Sequence, residues 1–351
     1  MDRIGPGTAV CITDYSTQPR ELLRAMSSPI RRLKSTQQLP VVQLRRGWLH
    51  GSHLRVVVRA YPDRTAHLEE FLETAGRIAA ERPGEPPAVE DYLRRAGQLA
   101  RWENQKGDPL PLHPQGHVTA GPDEDAEQLA PDVLRARDLI TAGYLEPVLD
   151  TAELPDAELL PTLARVMALV ARSHPLGYGV GTLAFRSHVE GVCSATGNHA
   201  DLGSVFAQRF AQDEEVFLDA LTAPVDDPLL HSWQSAIGRG WGVAEGMCAA
   251  GLLDERALQS AVGPMEYPMG PPVRSEFIAA YLTNRQVAEQ NYRQTAYRVL
   301  LNTVYPTLTC FGITPLRRYY LCFGLSEAAD RLTGLSSVER MRARAGELAP
   351  R

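Results

Sequence analysis

The pattern of apolar and polar positions changes character part-way along the chain. Residues 8–13, TAVCIT, form a β-branched run that predicts a strand. An amphipathic helix with a basic end, Arg31-Arg32-Leu33-Lys34, is predicted within 19–34. The segment LPVVQLRRGWLHGSHLRVVVRAYP, 39–62, carries the strongest strand signals, at Val41–Leu44 and Leu54–Ala60. Gly47 and Gly51 between them predict a turn or a bulge. After Pro62 the period becomes helical, over 65–82 and 88–102. Residues 103–131 are rich in Pro, Gly, Asp and Gln and read as a loop, with one short strand near His117–Ala120.

From Pro131 onward nearly every segment reads as helix: 131–149, 156–173, 179–195, 201–222, 228–251, 254–262, 274–305 and 314–333. The tail from Ser336 is charged and Arg-rich, a helix or a frayed end. No repeat of fixed period is present. The pattern predicts an α+β fold with a small, mainly antiparallel sheet in the N-terminal third and a large helical remainder. A single domain over 1–351 is expected, strand-rich in 1–62 and mostly helical in 63–351.

Composition adds mainly exclusions. With 351 residues, 44% hydrophobic and 22% charged, the chain can bury a sizeable core. The net charge of -6 argues against a sequence-independent nucleic-acid binder. Lys34 and Lys106 are the only lysines, so the positive charge is nearly all Arg. Codon usage in a GC-rich genome explains that bias; Arg also offers a fixed fork of donors for carboxylates. Five scattered cysteines without a C-x-x-C pair suit a reducing cytosol, and MDRIGPGTAV holds no signal-peptide apolar stretch. A cytoplasmic location follows as an expectation. No run of about 18 apolar residues predicts a membrane span.

P-loop, H-E-x-x-H and G-x-S-x-G motifs are absent. GYGVGT, 177–182, has the wrong spacing for a dinucleotide loop and follows a helix, so its glycines read as breakers between two helices. The nine histidines form no metal set: His50 and His53 fall on opposite faces if the strand is continuous, and His113 and His117 lie in a Pro/Gly loop. Neither a metal nor an organic cofactor is expected.

Three constellations carry candidate chemistry. The first runs from Arg45-Arg46 through Trp48 to His53-Leu54-Arg55. On a strand His53 and Arg55 share one face, and polar groups at the mouth of a buried strand make a substrate site. A solvated sheet face with snorkelling arginines fits the same pattern. The second is 279–306 read as one helix, where Tyr281, Ala288, Tyr292 and Val299 form one stripe. Gln286, Gln290, Gln294 and Tyr297 form another, continued by Leu301 and Val304. The first stripe suits core packing. The second places amides and a phenol where a peptide backbone would satisfy them, or faces water. The third is Arg186-Ser187-His188-Val189-Glu190. Ser187 and Glu190 have capping-box spacing, predicting a helix start, and His188 beside Glu190 suits proton transfer.

These residues resemble one family. His53-Leu54-Arg55 is similar to the H-L-R strand of lantibiotic-dehydratase C-terminal domains, with Trp48 and a shortened Gly51-Ser52 link in place of the usual preceding segment. In that family the Arg of H-L-R grips a glutamyl carboxylate for elimination, and Arg55 matches it. The late H-M-x-x-N-R helix is matched loosely by Asn302. Arg298 or a neighbour stands where the His would be, and Thr303 where the Arg would be, which counts against elimination. The stretch LLNTVYPTLTCFGITPLRRYYLCFGLSEAADRLTG, 300–334, and the PLPLHPQGHVTAG loop, 109–121, resemble stand-alone thiopeptide pyridine synthases.

The resemblance implies a cofactor-independent enzyme. Its partner is a precursor peptide, leader plus core, carrying azoles and two dehydroalanines; a homodimer is left open. A formal [4+2] aza-cycloaddition joins the dehydroalanines, and loss of water and of the leader gives a pyridine macrocycle. Holding the two alkenes together supplies effective molarities of ~10⁵ M or more. Proton transfer by a placed group contributes about 10²- to 10⁴-fold. The residues assigned are Tyr292 and Tyr297 as proton donors or orienting groups, His53 as acid/base and Arg55 as an oxygen-binding cation. Gln290 holds a peptide carbonyl; Trp48, His188 and Arg298 line the substrate site; Arg45, Arg46, Arg31 and Arg32 meet an acidic leader. The rival readings are a glutamate-eliminating enzyme and a non-catalytic leader-binding scaffold.

Overall fold

Val10, Ile12, Val42, Leu44, Leu54 and Val56 are all buried, and their even-number alternation sets the register of the sheet. The computed structural model describes residues 7–16, 18–37, 41–59, 66–103, 107–123, 129–196, 199–254, 256–258, 275–289 and 291–348. The chain divides into two compact units: Met1–Glu153 with Ser260–Gly263 and Asn302–Ile313, and the remainder, Leu154–Gln259, Pro264–Leu301 and Thr314–Arg351.

The first unit holds β1 (Thr8–Thr13), α1 (Pro19–Gln37), β2 (Val41–Gly47), β3 (His53–Arg59), α2 (Ala66–Ala80), α3 (Val89–Glu103), β4 (Val118–Pro122), α4 (Pro131–Ala142) and α5 (Leu145–Ala152). The sheet order is β2-β3-β1-β4, antiparallel at every pairing. Val10 faces Val56, Ile12 faces Leu54 and Leu44 faces Val56, so the even residues make one apolar layer. Leu22, Leu23, Met26 and Ile30 of α1 are fully buried, each worth roughly 2 kcal/mol of apolar burial. The odd residues Gln43, Arg45, His53, Arg55 and Arg59 share the opposite face.

The second unit is helical: α6 (Asp156–Arg172), α7 (Tyr178–Thr196), α8 (His199–Thr222), α9 (Pro228–Ala249), α10 (Glu276–Glu289), α11 (Tyr292–Leu308, whose last residues count with the first unit), α12 (Pro315–Thr333) and α13 (Ser337–Leu348). Helix α12 is its centre, buried continuously from Tyr319 to Ser326 and packed on α7 and α8. Gly324 lets it approach α8, since a Cβ there would lie 2.3 Å from the Phe217 ring. Thr314 caps α12 by accepting from the Arg317 amide at 3.3 Å, with Pro315 in the first turn and left-handed Gly334 ending it. Leu183, Phe277, Ala280 and Met341 join α7, α10 and α13 in a smaller core. No described helix is long and apolar enough to cross a membrane.

The expected α+β class holds, and β4 forms where the loop signal left room for a short strand. Several local readings are corrected. The 131–149 helix is two, because Gly143 ends α4 with i→i+3 bonds to Ile140 and Thr141. The 274–305 helix is also two: Asn291 caps α11, its side chain accepting from Arg293 N at 3.0 Å and its carbonyl from Gln294 N at 2.9 Å. The two stripes drawn across that region therefore do not continue through it. Gln290 lies outside the described residues, as does most of 254–262. Arg186–Glu190 sits in the middle of α7, so Ser187 is not an N-cap; Glu190 pairs back to Arg186 instead. Between β2 and β3 the ladder runs to Gly47–His53 and closes through a five-residue loop, the turn that Gly47 and Gly51 predict. The Arg-rich tail is the helix α13.

Candidate functional site

Each unit contributes one cluster of chemistry-bearing groups. In the first, the polar face of the sheet converges on Asp123, whose side chain is fully buried just beyond β4. Arg55 Nη2 donates to its Oδ1 at 2.6 Å and Arg45 Nη2 at 3.2 Å. Arg59 Nη2 donates to Oδ2 at 2.6 Å and Arg137 Nη2, from α4, at 3.4 Å. Burial pushes the Asp123 carboxyl up, but Arg45, Arg137 and Arg55 outweigh it and hold the group below the usual carboxylate range. Asp138, the residue after Arg137 on α4, pairs with Arg59 and Gln43, yet burial wins there and raises its carboxyl. Arg55 is thus an anion-binding group whose present anion is Asp123.

His53 opens β3 at 7% exposure, its Nδ1 2.9 Å from the Gly51 carbonyl. Burial, with Arg55, Arg46 and Arg45 nearby, brings its imidazole down to about 4. The unfolded chain, with an ordinary value of 6.5, takes up this proton first as pH falls. Stability contributed by neutral His53 is therefore complete above about 6.5 and is lost as pH drops toward 4, roughly 3 kcal/mol in all. Urea midpoints across that window should fall, and His53→Gln should flatten the slope; an unchanged slope contradicts the assignment.

Arg46 turns inward, donating to Ser52 Oγ at 2.8 Å and to the Asp14 and Pro19 carbonyls at 3.3 Å. Trp48 is half-buried at the start of the hairpin loop. Arg31 pairs with Glu146 at 2.9 Å and Asp150 at 2.5 Å, and the exposed Arg32 with Glu70 at 2.8 Å.

In the helical unit, Tyr297 is fully buried and its hydroxyl donates to the Gly181 carbonyl at 3.0 Å. Burial raises its pKa well beyond the ordinary phenol value. His174 meets the Tyr297 ring edge-on at 4.9 Å between centroids. Its Nδ1 accepts from the Leu176 amide at 3.1 Å, so Nε2 bears the proton and donates to Gln294 Oε1 at 3.3 Å. Tyr292 is 42% exposed at the start of α11, beneath the Arg293 guanidinium at 5.7 Å. Half-buried His188 is brought down to about 4 by burial and by Arg318 and Arg298.

No protein-family model matches the chain, and no curated protein matches its sequence. Among solved structures it is similar to the pyridine synthase TbtD from thiomuracin biosynthesis, with a TM-score of 0.69 and 19% identity over 94% of this chain and 99% of that one. The chain shares the fold of that structure. It is also similar to TsrL, at TM-score 0.63 and 14% identity over 98% of each chain. A looser match is the tRNA dependent lantibiotic dehydratase MibB from Microbispora sp. 107891, at TM-score 0.47 and 12% identity over 95% of this chain and 29% of that one.

Within this fold, the structure gathers Arg45 and Arg55 on one carboxylate and sets Arg46, Trp48 and His53 around one hairpin, while Arg31 and Arg32 stand apart on α1. Tyr292, Tyr297 and Arg298 share α11, and His188 lies on α7 close enough to Arg298 to feel its charge. Sequence reasoning missed Asp123, Tyr92 and His174. The acidic run GPDEDAEQ after the 109–121 loop was the available signal for a carboxylate partner, but strand pairing selects which one. Gly181 was read as a helix breaker; it lies in the first turn of α7, where a Cβ would come 2.2 Å from the Ala171 carbonyl oxygen. Gly181→Ala should cost about 1–3 kcal/mol by overpacking. Gly191→Ala, in the same helix with nothing within 4 Å of its Cβ position, should be neutral or stabilising. Denaturant midpoints for the pair check this, and equal midpoints contradict the close approach.

Proposed function

We propose that this chain is a thiopeptide pyridine synthase. It acts on a leader-bearing peptide with azoles and two dehydroalanines. The observation that carries the reading is the shared fold along nearly the full length of both chains, 94% of this one and 99% of the thiomuracin pyridine synthase. The chemistry needs a backbone amide to pass to its iminol tautomer, whose 2-azadiene adds across the second dehydroalanine. The adduct then loses water, and the leader departs as a carboxamide, leaving the aromatic pyridine.

In this reading the neutral His53 imidazole accepts or returns a proton, and the exposed Tyr292 hydroxyl donates one. The Tyr297 hydroxyl is held by Gly181, so Tyr297 orients the helix α11 wall rather than giving up its proton. Arg55 binds developing negative charge on oxygen by exchanging its contact with Asp123. Gln290 takes a peptide carbonyl, and Trp48, His188 and Arg298 line the peptide's path. Arg45 and Arg46 turn into the sheet unit, whereas Arg31 and Arg32 on α1 stand at its surface in ion pairs that the carboxylates of an acidic leader would exchange, so these two are the groups assigned to it.

The test is turnover without added cofactor. An azole peptide with two dehydroalanines should be consumed, and the same peptide with either dehydroalanine replaced by alanine should not. Consumption of both, or of a glutamylated peptide in preference, contradicts the assignment.

A further inference from the structure

The hairpin loop between β2 and β3 is shaped by left-handed backbone, with φ of 61° at His50 and 116° at Gly51. Gly51 is required twice over: besides its φ, a Cβ there would lie 2.1 Å from the Tyr15 hydroxyl. A side chain of α3 fastens the loop from outside. Among the described side chains of α3, only Tyr92 and Ala96 are buried. The Tyr92 hydroxyl accepts from the Gly51 amide at 3.2 Å and donates to the Trp48 carbonyl at 2.5 Å, with the Pro109 carbonyl at 3.1 Å as a second acceptor.

The next peptide group, joined to the first through the Gly51 Cα, carries His53 on its carbonyl. A carbonyl oxygen can only accept, so the 2.9 Å contact with Nδ1 requires the proton on Nδ1 and leaves Nε2 with its lone pair. On the Nε2 side stands Gly47, whose Cβ would sit 2.2 Å from that nitrogen. The absent side chain gives the lone pair its space. Arg45, Arg46 and Arg55, the charged groups acting on the ring, are all cationic and disfavour a second proton.

We propose that Tyr92 is the positioning residue for His53: by holding the amide of Gly51 it fixes the residue whose carbonyl keeps the imidazole as the Nδ1–H tautomer and presents Nε2 as the proton acceptor. This rests on the reading of His53 as the acid/base group. An untethered neutral imidazole samples both tautomers, and only one has a lone pair at Nε2. A loop that drifts by about 1 Å takes the Nδ1 contact out of hydrogen-bond reach and loses the tautomer selection with it.

The test is 15N NMR of histidine-labelled full-length protein near neutral pH. It needs no substrate, so it stands apart from the outcome of any turnover experiment. Wild type should show His53 as the Nδ1–H tautomer alone. Tyr92→Phe should show both tautomers, with exchange of the Nδ1 proton at least about tenfold faster, the loss of one buried hydrogen bond. Ala96→Gly loosens α3 by a similar amount while keeping the hydroxyl, and should leave His53 unchanged. An Nε2–H tautomer in wild type, a pure Nδ1–H tautomer in Tyr92→Phe, or an equal response to Ala96→Gly overturns the proposal. Should Tyr92→Phe fail to fold, 3-fluorotyrosine placed at position 92 keeps the hydroxyl and alters its hydrogen-bond strength. The His53 Nδ1 resonance should then move, and an unmoved resonance overturns the proposal equally.

Discussion

Asp123→Ala is expected to destabilise the sheet unit by about 3–5 kcal/mol, the range for removing one partner of a buried ion pair. The reason is geometric. One carboxylate receives Arg45, Arg55, Arg59 and Arg137. Arg59 is 3% exposed and Arg55 11%, so neither guanidinium reaches bulk water when the carboxylate goes. Asp123→Asn keeps the volume but not the charge, and should lose stability of the same order. Arg45→Ala, at the longer 3.2 Å contact and 18% exposure, should cost less. Urea denaturation near neutral pH distinguishes these; a loss under about 1 kcal/mol for Asp123→Ala contradicts the central role. The pH sign is opposite in origin to that of His53 but similar in direction. A carboxylate held below its ordinary value of 3.8 contributes stability that is complete above that value and fades as pH falls through the lower folded one. Acid loss thus has two stages, first His53 and then Asp123.

Tyr292→Phe is expected to lower turnover by about 10²-fold or more while leaving the unfolding midpoint within about 0.5 kcal/mol. Its ring is 42% exposed at the first turn of α11, so removal of one oxygen disturbs no core. The contrast is Tyr297→Phe. There the lost bond to the Gly181 carbonyl is buried and should cost about 1 kcal/mol of stability, with a smaller loss of rate. Steady-state turnover and melting of the two variants decide between a proton-transferring and a supporting phenol. Full activity in Tyr292→Phe removes that residue from the mechanism.

Strands and helices with strong periodicity were legible because burial imposed the pattern: Val10, Ile12, Leu54 and Val56 alternate on a sheet that buries one face. Breaks between helices were not. Gly143 and Asn291 each interrupt an otherwise helical run, and both are permitted in helices, so only the competing cap bonds of the folded chain reveal the break. For the site, the shared face of His53 and Arg55 followed from strand period, and the structure keeps them together. Their partners did not follow. Asp123 lies 68 residues from Arg55, and Tyr92 lies 41 residues from Gly51. No local spacing encodes such pairings; they arise when β4 joins β1 and α3 meets the hairpin. The stripe that paired Tyr281 with Tyr292 failed for the same reason as the long helix on which it was drawn.

The most direct measurement is the intact mass of the products after the purified protein meets a leader-bearing peptide with azoles and two dehydroalanines. The account predicts two species, a pyridine macrocycle lighter by one water and the leader, and the leader itself ending in a carboxamide. A peptide that stays linear and keeps its leader, whether unchanged or shortened only by elimination at a glutamylated side chain, contradicts it.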